Sequence, residues 1–219
     1  MGVVVTAIAV VGLHRGGTSA VAGVLHNLGV FMGDDLLPPS EHNPKGYFED
    51  RRFVELHDKI LGGDWKYPPA DYMHNWGKYK DEYLSLVNEF NSQHDIWGVK
   101  DPRLCYTLPC LKVATKYDLK TIVVYRDPWD AAASLYKRGG HEYDEALDIS
   151  LRYLTAMMLN TEPWGVTTHL IERPKPLYIN FKNMIEYPKW TTTLMAAFIG
   201  TRWNQQAEDF IDKGLVHHG

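Results

Sequence analysis

The sequence has only two cysteines, Cys105 and Cys110, in 219 residues. That excludes a disulfide scaffold, and no further Cys/His pair at finger spacing completes a zinc site. Two ordinary thiols in a helical stretch fit a reducing compartment, so a cytoplasmic location is expected. There is no excess of positive charge either. The formal net charge of −4 excludes a basic field that would draw the protein onto nucleic acid or an anionic membrane. Any anion site must therefore be local. Long apolar runs are also missing: the opening MGVVVTAIAVVG is too short to span a bilayer and has neither the basic flank nor the cleavage site of a signal peptide. MGVVVT fits the myristoylation pattern, but Gly2 leads into a strand expected to be buried, whose acylated end would be hard to pack. No repeat, low-complexity tract or linker breaks the chain, so one domain over residues 1–219 is expected. What is present suffices for a sizeable core: 45% hydrophobic and 12% aromatic residues exclude disorder.

Residues 3–11 form a continuous β-branched and alanine run, the mark of a parallel strand buried on both faces. A loop, GLHRGGTS, follows at 12–19, and residues 20–28 read as a helix stopped by Gly29. Residues 34–50 are Pro- and Gly-rich loop, 51–61 a helix, 64–78 an aromatic loop and 79–90 an amphipathic helix. This stretch, 34–95, is expected to carry the acceptor side of any site. Strands are expected at 96–100, 119–126 and 177–180, with helices at 108–116, from Asp127 onward, at 142–161 and at 190–199. Asp127 should cap its helix and Pro128 should be the first helical residue. Strands alternating with helices predict a three-layer α/β fold around a mainly parallel sheet.

GLHRGGTS has the glycine spacing of a phosphate-binding loop, with Ser19 in the Ser/Thr place, but Thr18 stands where that loop carries lysine. Its glycines still allow an anion nest at a helix N-terminus. The alternative is a tight strand-to-helix turn capped by Ser or Thr. A second anchor comes from YRDPWDAAAS: Arg126 closes a strand, and Ser134 lies about two turns into the next helix. A guanidinium and a hydroxyl could meet there on one phosphate. Otherwise Arg126 pairs with Asp127 or Asp130, and Ser134 bonds its own backbone.

Taken together, these elements resemble the sulfotransferases that use 3′-phosphoadenosine 5′-phosphosulfate (PAPS). That family has a lysine- or arginine-led x-G-T-S/T loop after its first strand, matched by Arg15, Gly16, Gly17, Thr18 and Ser19. It has an RxPxxxxxS element for the 3′-phosphate, matched by Arg126, Pro128 and Ser134, and a late strand-helix segment similar to YINFKNMIEYPKWTTTLMAAFIG. HRxGTS with NPxGYFED downstream is similar to bacterial and phage-type members. The resemblance implies a P-loop-like fold and sulfuryl transfer from PAPS, without a metal, to a small-molecule or glycan acceptor, leaving PAP. His14 and Phe181 join the loop residues as expected contacts of the nucleotide.

For catalysis, Arg15 is the candidate cation at the bridging oxygen, acting by charge because arginine does not give up its proton at ordinary pH. Lys100, in WGVKDPRL, matches the lysine of a Lys-Thr-His segment, whose histidine has no counterpart because Pro102 falls there. The base is then expected at Glu49, with Asp101, Glu41 and His42 as rivals. A carboxylate at an apolar pocket edge can have its pKa raised into a useful range. Glu49 and Asp50 could equally serve as helix N-terminal acids, and Asp101 could pair with Arg103. The aromatic loop suits an acceptor wall or a core anchor. Phe181 stands where many members have tyrosine. The ending DKGLVHHG implies a shortened or absent basic lid, and His217 and His218 read as tail. A P-loop kinase would need a loop lysine and a Mg²⁺-binding acid; a non-catalytic nucleotide-binding protein is the third alternative.

Overall fold

A computed structural model describes residues 5–116, 118–161 and 175–211. The expectations for Gly2, His217, His218 and the shortened lid lie outside these residues. Four strands, β1 (Thr6–Gly12), β2 (Ile96–Lys100), β3 (Leu119–Tyr125) and β4 (Leu177–Asn180), form an all-parallel sheet of order β2-β1-β3-β4. β1 shows why both faces are buried. Ala7, Ala9 and Val11 enter one core while Ile8 and Val10 enter the other, following the two-residue period of a strand. The first core packs under α2 (Arg51–Ile60), α3 (Met73–Gln93), α4 (Leu104–Ala114), α5 (Pro128–Arg138) and α6 (Tyr143–Thr161). The second lies under α1 (Thr18–Asn27), α7 (Phe181–Glu186), α8 (Pro188–Ile199) and α9 (Gln205–Asp209). The result is the expected three-layer α/β fold.

Several boundaries differ from the sequence reading. α3 starts at Met73, so Trp76 is helical rather than part of the loop; its ring packs on Tyr83, two turns on, at 5.4 Å. That packing outweighs the low helix propensity of Gly77. α4 starts at Leu104, four residues before the expected helix. Pro109 lies inside this helix, which runs through it. Proline has no N–H for the carbonyl of Cys105, and Asn160 Nδ2 donates to that carbonyl at 2.9 Å instead. α7 and α9 were not foreseen; Asn180 and Asn204 cap them, accepting from Asn183 N at 3.1 Å and Ala207 N at 2.9 Å. Asp127 caps α5 as expected, accepting from Trp129 N at 2.9 Å.

The chain leaves β1 for β2 on one side and returns to β3 on the other. The crevice beyond Gly12, Lys100 and Tyr125 is thus where strand order reverses, the usual ligand position in such sheets.

Candidate active site

The loop after β1 turns on two left-handed residues, Arg15 at φ 60° and Gly17 at φ 90°. Gly17 is required twice over, because a Cβ there would stand 2.1 Å from Phe181 Cδ2. Gly17 is also the N-cap of α1, and no side chain caps that helix. The Ser/Thr-capped turn is therefore not what forms; the first N–H groups of α1 are left for an anion.

Arg15 reaches out of the loop to α5. Its Nε donates to Ser134 Oγ at 3.1 Å, and its Nη1 to the carbonyl of His42 at 3.1 Å. Arg126 turns back toward the loop: its Nη1 donates to the Arg15 carbonyl at 2.9 Å, and its guanidinium lies 5.0 Å from the Phe181 ring centre. Arg15, Arg126, Ser134 and Phe181, far apart in sequence, thus meet at one edge of the sheet. Burial, together with Arg138 and Arg126 nearby, lowers the pKa of Arg15; burial also lowers that of Arg126. Such crowding of like charge is relieved by a bound anion.

Across the loop, Ser19 Oγ accepts from Lys100 Nζ and from Asn43 Nδ2, each at 3.0 Å. Lys100 also donates to Glu49 Oε1, and both side chains are buried. The two acids before α2 have divided their roles. Asp50 accepts from Arg52 N at 3.0 Å as the helix cap, which leaves Glu49 to face Lys100. Burial raises the pKa of Glu49 above the ordinary glutamate value, against the opposing pull of Lys100.

Asp101 is placed differently from a cavity-facing base. It is fully buried and takes hydrogen bonds from His57 Nδ1 at 2.8 Å, Arg103 N at 2.9 Å and Arg103 Nη1 at 3.2 Å. His57 Nε2 meets Tyr83 OH at 2.9 Å. Burial alone would raise the Asp101 pKa, but Arg103 and His57 outweigh it and hold the carboxyl well below the usual range. Glu41 and His42 are exposed, and His42 contributes its carbonyl to Arg15. His14, expected at the nucleotide, lines the same cavity as the loop residues, and its ring packs 4.4 Å from Trp65 and 4.7 Å from Tyr153.

Residues of the loop after β1, with Asn43, Glu49, Lys100, Arg126 and Phe181, line a cavity of about 510 Å³, whereas Asp101 and Ser134 are not in its wall. Six basic side chains line it, Arg15, Lys45, Lys100, Arg103, Arg126 and Arg138, against one carboxylate, Glu49. A chain of net charge −4 has therefore gathered a local cationic site. Of the aromatic loop, Trp65 faces this cavity, whereas Tyr72 OH donates to the Tyr106 carbonyl at 3.2 Å and Trp76 packs on Tyr83. Among the described residues no group of three His, Cys, Asp or Glu could hold a metal ion, and no described helix is long and apolar enough to cross a membrane. Sequence reasoning missed Asn43, His57 and Arg138. Only His57 carried a signal, as a histidine on the buried stripe Phe53, Leu56, Ile60 of α2.

No family model matches the sequence, and no curated protein matches it. Solved structures do. The sulfotransferase domain of the curacin biosynthetic pathway is 14% identical, with a TM-score of 0.52 over 98% of this chain and 81% of that one. The sulfotransferase domain of the Synechococcus olefin synthase is 16% identical, with a TM-score of 0.52 over 98% and 84%. A sulfotransferase from Mycobacterium tuberculosis is 12% identical, with a TM-score of 0.56 over 95% and 71%. At these identities the likeness is one of fold: a central parallel sheet flanked by helices, with a P-loop-like turn after the first strand.

Proposed function

We propose that the chain is a sulfotransferase that takes the sulfuryl group from PAPS and places it on a hydroxyl or amine of a small-molecule or glycan acceptor. The observation that carries this reading is the cavity wall of six basic side chains and one buried carboxylate. Its candidate anion sites fall in two places. The uncapped start of α1 with Lys100 suits the 5′-phosphosulfate, and Arg126 and Ser134, linked through Arg15, suit the 3′-phosphate. Thr18 brings no ammonium to the loop, which disfavours ATP as the cargo.

When bound, PAPS supplies the sulfuryl group and departs as adenosine 3′,5′-bisphosphate (PAP). Glu49 receives the proton of the attacking acceptor, its basicity raised by burial. Lys100 and Arg15 offset the negative charge that gathers on the bridging oxygen as the S–O bond to the donor breaks and the new S–O bond forms. Arg15 acts there by charge and hydrogen bonding only. The buried thiols of Cys105 and Cys110 fit a cytoplasmic setting.

The test is thermal shift of the intact chain with PAP against ATP plus Mg²⁺. PAP is expected to stabilise it by the mass-action increment of a bound ligand, and stabilisation by ATP–Mg²⁺ alone would overturn the reading.

A further inference from the structure

Four residues of the cavity lining, His14, Trp65, Arg103 and Arg138, are not among those assigned to the two anion sites. His14 gathers them: its ring packs 4.4 Å from Trp65, and Arg103 and Arg138 both act on its charge. Trp65 is held in place there: Tyr153 OH donates to its carbonyl at 2.6 Å, and Asp64 Oδ1 accepts from the next two backbone N–H groups, at 3.0 and 3.1 Å. The ring itself packs against His14 at 4.4 Å and edge-on to His141 at 5.9 Å, so the apolar surface it turns to the cavity is ordered at little further entropic cost.

Around that surface, polar atoms lack hydrogen-bond partners. His14 Nε2 is buried without a hydrogen bond. Arg103 Nε is likewise buried without a hydrogen bond, although its guanidinium is ion-paired to Asp101 at 3.2 Å and to Asp58 at 3.4 Å. Such atoms are rare in folded proteins and unfavourable unless a ligand completes them. Burial, with Arg103 close by, holds the His14 pKa down at about 3. The ring is therefore neutral and can exchange a hydrogen bond with a hydroxyl. Arg138, the last residue of α5, lines the same cavity. No hydrogen bond or ion pair ties it to another described residue.

We propose that these residues form the acceptor subsite, and that it takes a hydroxylated ring bearing an anionic group, the ring on Trp65, a hydroxyl on His14 and the anion on Arg138. The proposal rests on the sulfotransferase reading and narrows its acceptor to anionic sugars or phenols. His14 then belongs to the acceptor rather than to the nucleotide.

The test uses the intact chain with and without PAP, titrated calorimetrically with matched pairs: methyl β-D-glucuronide against methyl β-D-glucoside, and 4-hydroxybenzoate against phenol. One charged member is expected to bind about 10- to 100-fold more tightly than its neutral twin, the span of a charge-assisted hydrogen bond. Which pair shows the difference identifies sugar or phenol. Arg138→Ala should abolish the difference while lowering PAP affinity by less than the roughly tenfold that would mark a direct nucleotide contact. Trp65→Ala should weaken both twins alike. His14→Phe keeps the ring packing and removes the unpaired nitrogen, so it should lower ring affinity while raising the melting temperature. Equal affinity within both pairs, or no binding by any of the four, overturns the subsite. So does an Arg138→Ala protein whose PAP affinity falls about tenfold, because Arg138 would then belong to the nucleotide. Failure of PAP itself to bind would instead sink the sulfotransferase reading.

Discussion

Glu49 and Asp101 are two buried carboxylates on either side of the same lysine, and they have opposite fates. Glu49 takes its bond from Lys100 and borders the cavity, and burial raises its pKa. Asp101 takes three hydrogen bonds, from His57 and from the backbone and side chain of Arg103, and its pKa falls. Burial is common to both, so burial does not decide which acid is a base. The number and charge of the donors decide it. Asp101 is a fastener between α2, α3 and the start of α4, and Glu49 is the acid with chemical freedom.

Exchanging the roles would break this contrast most directly. Asp101→Asn should destabilise the fold by about 3–5 kcal/mol, as when one partner of a buried ion pair is removed, read from urea unfolding. Glu49→Gln leaves the buried Lys100 without its ion-pair partner, so it should also cost about 3–5 kcal/mol, but it alone should lower sulfate transfer by roughly 10²–10⁴-fold. A Glu49→Gln protein with full turnover would remove Glu49 as the base. The pH profile sharpens the same point. The ionised form of Glu49 is the active one, so transfer should rise with pH through a limb lying above the ordinary value of 4.5. Asp101, lowered in the folded state, keeps its stabilising contribution above its unfolded value and loses it only as pH falls through the lower folded value. Acid unfolding should therefore begin well below the catalytic limb, and coincidence of the two would merge the carboxylates' roles. The smallest effect is expected from Ser134→Ala, outside both clusters. It should weaken PAP binding by about 2- to 10-fold through one lost hydrogen bond and leave the catalytic limb unmoved.

How much the sequence disclosed follows the range of the signal. Asp127-Pro128 opens a helix by local capping chemistry, and the apolar run of β1 records its own burial, so both were legible. The start of α4 was not, because the group that rescues Pro109 is Asn160, which lies on α6. The site divides similarly. Loop glycines, Arg126 and Ser134 were readable as motifs at fixed spacing, whereas Asn43 meets Ser19 across 24 residues and His57 meets Asp101 across 44. Glu49 was expected as the base, with a helix N-terminal role as the alternative for it and Asp50; the turn into α2 gives that role to Asp50 and turns Glu49 to Lys100.

The cations at the sheet edge are not bare while they wait. Arg15 is engaged with the His42 carbonyl and Ser134, and Arg126 with the Arg15 carbonyl. These neutral oxygens act as placeholders, keeping each guanidinium oriented so that an arriving phosphate has only to exchange a weaker acceptor for a charged one. Much of the ordering is then completed when the chain folds, and a nucleotide bound as proposed would free the His42 carbonyl from Arg15. On the proposed reading, the same exchange links the nucleotide to the segment of chain that leads from His42 to Glu49.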